Sequence, residues 1–244
     1  MLEAFLWGAF AASSLVIGGA VALWRPVSKP VLGLVLAFGA GVLISAVAYE
    51  LALEAFTEAG AWRGAPALGF FAGVLTFFVG DTIIDRMGGE GRKSMDPAAK
   101  AGGVALAIVL GIVLDGIPES AVIGMTLLDG GVSVAVLVAV FLSNLPEAFA
   151  ATANLREGSR SGRWIMGLWL AIALVSGLAS LAGYALLDGA SPGVSAFVLA
   201  YAGGAILTML ADTMMPEAFA NGGKLAGVVT SVGFAIAFVI STLE

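Results

Sequence analysis

The sequence predicts an all-α polytopic membrane protein with eight transmembrane helices and both termini on the non-cytoplasmic side, and three observations carry that reading. Sixty per cent of the 244 residues are apolar, 11% are charged and the mean hydropathy is +1.04; a soluble domain holds roughly 45–50% apolar and 25% charged residues. The apolar residues fall into eight runs, each near the roughly 20 residues that one helical crossing of a bilayer core requires. Ten of the eleven Lys and Arg residues lie in alternate links between those runs.

The first run, about 3–24, follows Met1-Leu2-Glu3, which lacks the basic start of a cleaved secretory signal, so it is expected to stay as a helix. The second and third, about 31–56 and 66–85, follow the links 25–30 and 57–65. Runs four and five, about 99–127 and 131–153, are parted only by Leu128-Asp129-Gly130-Gly131. One helix through both would be about 80 Å long, far beyond the bilayer core of roughly 30 Å, so a tight turn between two crossings is expected. The last three runs, about 164–187, 194–219 and 223–243, are divided by the links 188–193 and 220–222. The longest link, around 87–98, cannot house a soluble domain, so residues 1–244 read as a single transmembrane domain. No internal repeat is evident along the chain.

Basic residues orient such a chain because short cytoplasmic links are enriched in Lys and Arg. Arg25 and Lys29 follow the first run; Arg86, Arg92, Lys93 and Lys100 the third; Arg156, Arg160 and Arg163 the fifth; and Lys224 the seventh, with Arg63 alone on the opposite side. An even number of spans with both ends outside the cytoplasm satisfies this pattern. The net charge of −6 and the absence of a basic cluster exclude an electrostatic nucleic-acid binder. His and Cys are absent, which removes thiolate metal sites, thiol nucleophiles and the commonest general base. Metal chemistry here must use oxygen ligands.

Eight acids fall inside or near the ends of spans: Glu50, Glu54, Asp81, Asp115, Glu119, Glu147, Asp212 and Glu217. No basic residue accompanies them at membrane depth, and a carboxylate at a helix centre costs about 2.5–3.5 kcal/mol on insertion. Those near the ends have the bland alternative of reaching the interface; Asp115, Glu119 and Glu147, close to mid-span, do not. Asp115 and Glu119 stand four residues apart on one helical face, and Ser143 and Glu147 repeat the spacing on the next span. Pro118 and Pro146 precede the two glutamates, and each frees the carbonyl four residues back, at Leu114 and Leu142. Freed carbonyls beside carboxylates at membrane depth are what a desolvated cation requires. A third Pro-Glu, Pro216-Glu217, is expected to end the seventh span, and Met214 and Met215 read as packing residues.

These motifs resemble the ZIP (Zrt-/Irt-like protein) family of divalent-metal transporters. Asp115-Gly116-Ile117-Pro118-Glu119-Ser120 is similar to the family's fourth-span His-Asn-x-Pro-Glu-Gly, with His and Asn replaced. Ser143-Asn144-Leu145-Pro146-Glu147 resembles the fifth-span motif, and Asp212-Thr213-Met214-Met215-Pro216-Glu217 the end of the seventh. Ser176-Gly177-Leu178-Ala179-Ser180 matches a sixth-span pattern in which the family carries Glu where Ser180 stands. Ala37-Phe38-Gly39-Ala40-Gly41-Val42-Leu43, followed by Glu50 and Glu54, resembles the second span, so the likeness covers essentially the whole chain.

The resemblance implies a ZIP-like bundle in which the first three and last three spans form inverted repeats around the fourth and fifth. It implies metal ligands at Asp115, Glu119, Glu147 and Asn144, with Ser143, Ser180 and Asp212 contributing, and one ion held by three carboxylates and an amide. All-oxygen ligation favours harder ions, yet Zn²⁺ and Cd²⁺ also accept carboxylates, so Zn, Cd, Mn or Fe is expected as substrate and no cofactor is expected. The expected partners are metal ions and the lipid bilayer, with a homodimer left open and no nucleic acid. The expected location is the plasma membrane, or the inner membrane in a bacterium. Two alternatives stay open: a ZIP-fold protein with lost or altered transport, serving as a sensor or assembly subunit, and an acid-lined cation channel. A membrane enzyme ranks last, since no nucleophile constellation or phosphate loop is present.

Overall fold

The computed structural model describes residues 1–25, 27–89 and 105–243; the expected start of the fourth span at 99 and the basic residues Arg92, Lys93 and Lys100 lie outside them. Among the described residues there is no strand, and seven helices are long and apolar enough to cross a bilayer. They are α1 (Leu2–Trp24), α2 (Lys29–Thr57), α3 (Ala65–Gly88), α4 (Leu106–Thr126), α5 (Val134–Arg156), α6 (Gly162–Leu187) and α7 (Pro192–Gly222). An eighth apolar helix, α8 (Leu225–Ser241), has 17 residues, about 25 Å of rise, at the lower limit for a crossing. The architecture is that of a multi-pass α-helical membrane protein. Large apolar side chains on α3, α6 and α8, such as Phe71, Leu75, Leu174, Leu178, Val228 and Ile236, remain exposed, as a lipid-facing surface requires.

Local sequence explains the helix ends. Prolines occupy the first turns of α2, α3 and α7, where a residue without an N–H costs nothing. Ser133 and Ser161 cap α5 and α6, their hydroxyls accepting from the amides of Val136 and Trp164 at 3.3 Å. Inside the bundle, α4 and α5 run through Pro118 and Pro146 without ending. The seventh helix departs from expectation: it does not stop at Pro216-Glu217 but continues to Gly222. A π-helical turn at Leu210–Met214 precedes Pro216, which then sits in the first turn of the final α-helical stretch, Met215–Gly222. Wider i→i+5 bonding resets the register there, so the proline starts a segment instead of breaking one.

Helix contacts divide the bundle into two sets. α1 lies on α5 and α6, and α4 on α6; α2 lies on α8 and α7, and α3 on α7. The sets meet where α2 crosses α5. Within the second set, the N-terminal half of α2 packs on the C-terminal end of α7, and the C-terminal end of α2 on the N-terminal half of α7, so the two helices run antiparallel.

This pairing exposes a repeat that composition and hydropathy conceal. Residues 36–60 align without a gap on 199–223, Leu36 on Leu199 through Gly60 on Gly223, and eight of the 25 positions are identical, among them Glu54-Ala55-Phe56 and Glu217-Ala218-Phe219. Both copies contain a π-helical turn at the same place, Val47–Leu53 and Leu210–Met214. Both end at a glycine in the left-handed region, Gly60 at φ 56° and Gly223 at φ 60°. Their contacts match too. A Cβ at Gly41 would strike the carbonyl of Thr230 on α8, and one at Gly204 the carbonyl of Phe70 on α3. Gly233 and Gly73 return the contact against the carbonyls of Phe38 and Tyr201. Small residues at matched places thus bring α2 onto α8 and α7 onto α3 at backbone distance.

Candidate metal-ion site

α4 and α5 each carry their polar pair into the bundle interior. Asp115 and Glu119 on α4 are 2% exposed, and Ser143 and Asn144 on α5 are 4% and 5% exposed. The Ser143 hydroxyl donates to the Val140 carbonyl at 3.0 Å, one turn back along the same helix. Glycines on two other helices allow this segment to be enclosed. A Cβ at Gly39 of α2 would lie 3.2 Å from the Ser143 amide, and one at Gly18 of α1 would strike the Leu145 carbonyl. The Ser143–Glu147 turn is therefore gripped by backbone on two sides.

Glu147 is partly buried and faces a cavity of about 20 Å³ between α5, α7 and α2, lined by Ser143, Pro146, Thr213, Met214, Glu217 and the side chain of Leu36. That volume holds about one water-sized particle. Two acidic and two hydroxyl-bearing residues thus line space for a single small occupant. The Glu217 carboxylate accepts a hydrogen bond from Asn221 Nδ2 at 2.7 Å, and the Thr213 hydroxyl donates to the Met209 carbonyl at 2.7 Å. A second and much larger cavity, about 570 Å³, lies toward the C-terminal end of α2, where Glu50 and Glu54 face Thr126, Ser133 and the Gly130-Gly131 turn.

Of the residues expected to bind metal, Asp115, Glu119, Ser143 and Asn144 are buried and Glu147 lines the smaller cavity. Ser180 is fully buried, but its hydroxyl donates to the Ala4 carbonyl at 2.7 Å and its Cβ occupies the space that a side chain at Gly8 would need. It closes the α1–α6 contact. Asp212 is exposed and lines neither cavity. Among the described residues no three acids gather so as to hold a metal ion, so the arrangement of three carboxylates around one ion is not assembled in this structure.

Thr213 and Met214 line the small cavity although the sequence reading assigned them no part in the site. The signal was available in the spacing to glutamate: Thr213 precedes Glu217 by four residues, as Ser143 precedes Glu147 and Asp115 precedes Glu119. The repeat places Glu50 and Glu54 on Thr213 and Glu217, so four helices each carry a polar residue followed four positions later by glutamate. No protein-family model matches the sequence, and no curated protein matches it either.

Proposed function

We propose that this chain is a ZIP-type divalent metal-ion transporter, carrying Zn, Cd, Mn or Fe ions across the plasma membrane by way of carboxylates on α4 and α5. The observation that carries the reading is the burial of Asp115 and Glu119 on one proline-interrupted helix, matched by Ser143 and Glu147 on another, with no Lys or Arg inside either described helix before the last turn of α5. Apolar residues of similar size would pack at these positions without the cost of desolvating a carboxylate, so acids kept at this depth point to a function, and a visiting cation supplies one. The Glu50/Glu54 cavity offers an entrance and the Glu147/Glu217 cavity a second station along the route, with transport by alternating exposure of the site between them. Eight crossings with both termini outside the cytoplasm agree with the Arg and Lys residues at the α1–α2, α5–α6 and α7–α8 links. On this reading the metal is substrate and the protein is not an enzyme.

A second reading is favoured by the lack of a three-acid cluster among the described residues: a channel lined by acids, or a member of the fold with altered transport. Proteoliposomes loaded with a divalent-ion dye separate the two. Saturable uptake of at least one of Zn²⁺, Cd²⁺, Mn²⁺ or Fe²⁺, abolished by Glu119→Gln or Glu147→Gln, is the expected result. Flux that rises linearly with concentration would identify a channel. No uptake of any of the four, with no anomalous scattering peak at residues 115–119 or 143–147 in metal-soaked crystals, would sink the transporter.

A further inference from the structure

The corner where α1 ends and α5 turns into α6 presents charge and aromatic surface that the ion site does not use. α1 stops at Trp24, which is 87% exposed, and Arg25 follows it; the α5–α6 link adds Arg156, Arg160 and Arg163 against one acid, Glu157. Contacts join the two elements. Arg156 Nη1 donates to the Leu23 carbonyl at 3.5 Å, a cation on the negative end of α1. A Cβ at Gly162 would touch the Leu23 side chain at 3.6 Å. The Arg160 guanidinium lies 4.9 Å from the centre of the Trp164 ring, which holds it beside a second exposed tryptophan. Arg25, Arg160 and Arg163 all remain exposed.

Exposed tryptophans at helix ends belong at the level where lipid headgroups meet hydrocarbon, and guanidinium groups at that level meet phosphate. A site for a free soluble anion has no use for two exposed indoles. We propose that this corner binds the phosphate headgroup of an anionic phospholipid, with Arg25, Arg160 and Arg163 serving the phosphate and Trp24 and Trp164 the boundary with the acyl chains. Such a lipid bridges the end of α1 and the α5–α6 turn. The assignment is independent of which ion, if any, the protein carries.

The test is native mass spectrometry of the full chain in detergent, titrated with phosphatidylglycerol and with phosphatidylcholine of the same acyl chains. The wild type is expected to retain phosphatidylglycerol at concentrations at least tenfold lower. The triple variant Arg25→Gln, Arg160→Gln, Arg163→Gln should weaken that retention by about fivefold per arginine, down to the level of phosphatidylcholine. If the triple variant does not fold, Arg163→Gln alone, at an exposed position, should show the fivefold step. Equal retention of the two lipids by the wild type would overturn the proposal, as would undiminished phosphatidylglycerol retention in the variants. Displacement of the lipid by millimolar inorganic phosphate would also overturn it, in favour of a free-anion site.

Discussion

The two copies of the repeat pack differently against the helices that carry the buried acids. α2 closes on α5: Gly39 comes within 3.2 Å of the Ser143 amide by the position of its would-be Cβ, and only about 20 Å³ of cavity remains beside them. The equivalent approach of α7 to α4 stays open. An apolar gap of about 360 Å³ separates Ile117, Pro118 and Ala121 on α4 from Tyr201 and Ala202 on α7, with α6 along one wall. Ala202 is the repeat partner of Gly39, and Tyr201 that of Phe38. A shared scaffold therefore grips one proline-interrupted helix and stands off from the other. The gap is open on its outer side, where Ile117 and Leu186 are exposed, so fewer side chains fill this seam than the one between α2 and α5.

The largest expected effect tests whether the two copies are equivalent at all. Gly41→Leu and Gly204→Leu each place a side chain against a backbone carbonyl, of Thr230 and Phe70 respectively, which cannot step aside. Overpacking of this kind costs about 1–3 kcal/mol and more where backbone must move, so both variants should lose most of their folded yield by size exclusion in detergent. Harm from one and not the other would break the repeat. Next in size are the carboxylates. Glu119→Gln and Glu147→Gln should each reduce metal uptake by more than about tenfold, whereas Glu54→Gln and Glu217→Gln, whose glutamates the repeat pairs with one another, should reduce it a few-fold and by similar amounts. Unequal effects of the latter pair would show that the two cavities do not serve equivalent steps.

A smaller effect sharpens the contrast between the seams themselves. Gly39→Ala adds one methyl where α2 already touches α5, and it should lower the melting temperature by about 2–4 °C, equivalent to about 1 kcal/mol. Ala202→Leu adds three carbons at the matched position, which lines the 360 Å³ gap, so it should lower the melting temperature less than Gly39→Ala does. If Ala202→Leu is the more destabilising of the two, the gap is not available space.

The helices were legible because lipid enforces a simple rule: every backbone group must be bonded within its own segment, so apolar runs of bilayer length become helices. Seven expected spans correspond to α1–α7 within a few residues wherever described, and the eighth to the shorter α8. The buried polar pairs on α4 and α5 were legible for a related reason, since a carboxylate in such a run stands out against its surroundings. What stayed hidden depends on small residues. The repeat is carried by Ala, Gly, Val and Leu, which replace one another freely where only close approach matters, so Gly39 aligning with Ala202 looks like background until the backbones are seen to meet. The π-helical turns left no trace either, because one extra residue per turn changes no composition. The place of Ser180 in the site rested on the likeness to the ZIP sixth-span pattern, and its hydroxyl serves the contact between α1 and α6.

The π-helical turn in α7 supports the finest discrimination. The resemblance to the ZIP seventh span implies Asp212 as a contributing ligand; the structure leaves it exposed and gives the cavity wall to Thr213. Thr213→Val keeps the shape of the side chain and removes an oxygen from the space shared by Glu147 and Glu217. Metal uptake should fall roughly threefold, the size of one neutral polar contact, while Asp212→Asn should leave it within experimental error. Both variants should melt within about 2 °C of the wild type, since one residue is exposed and the other conserves volume. The reverse ranking, with Asp212→Asn the more damaging, would mean that the register across Leu210–Met214 is α-helical while the protein works, and that the π-helical turn belongs to a resting arrangement of α7.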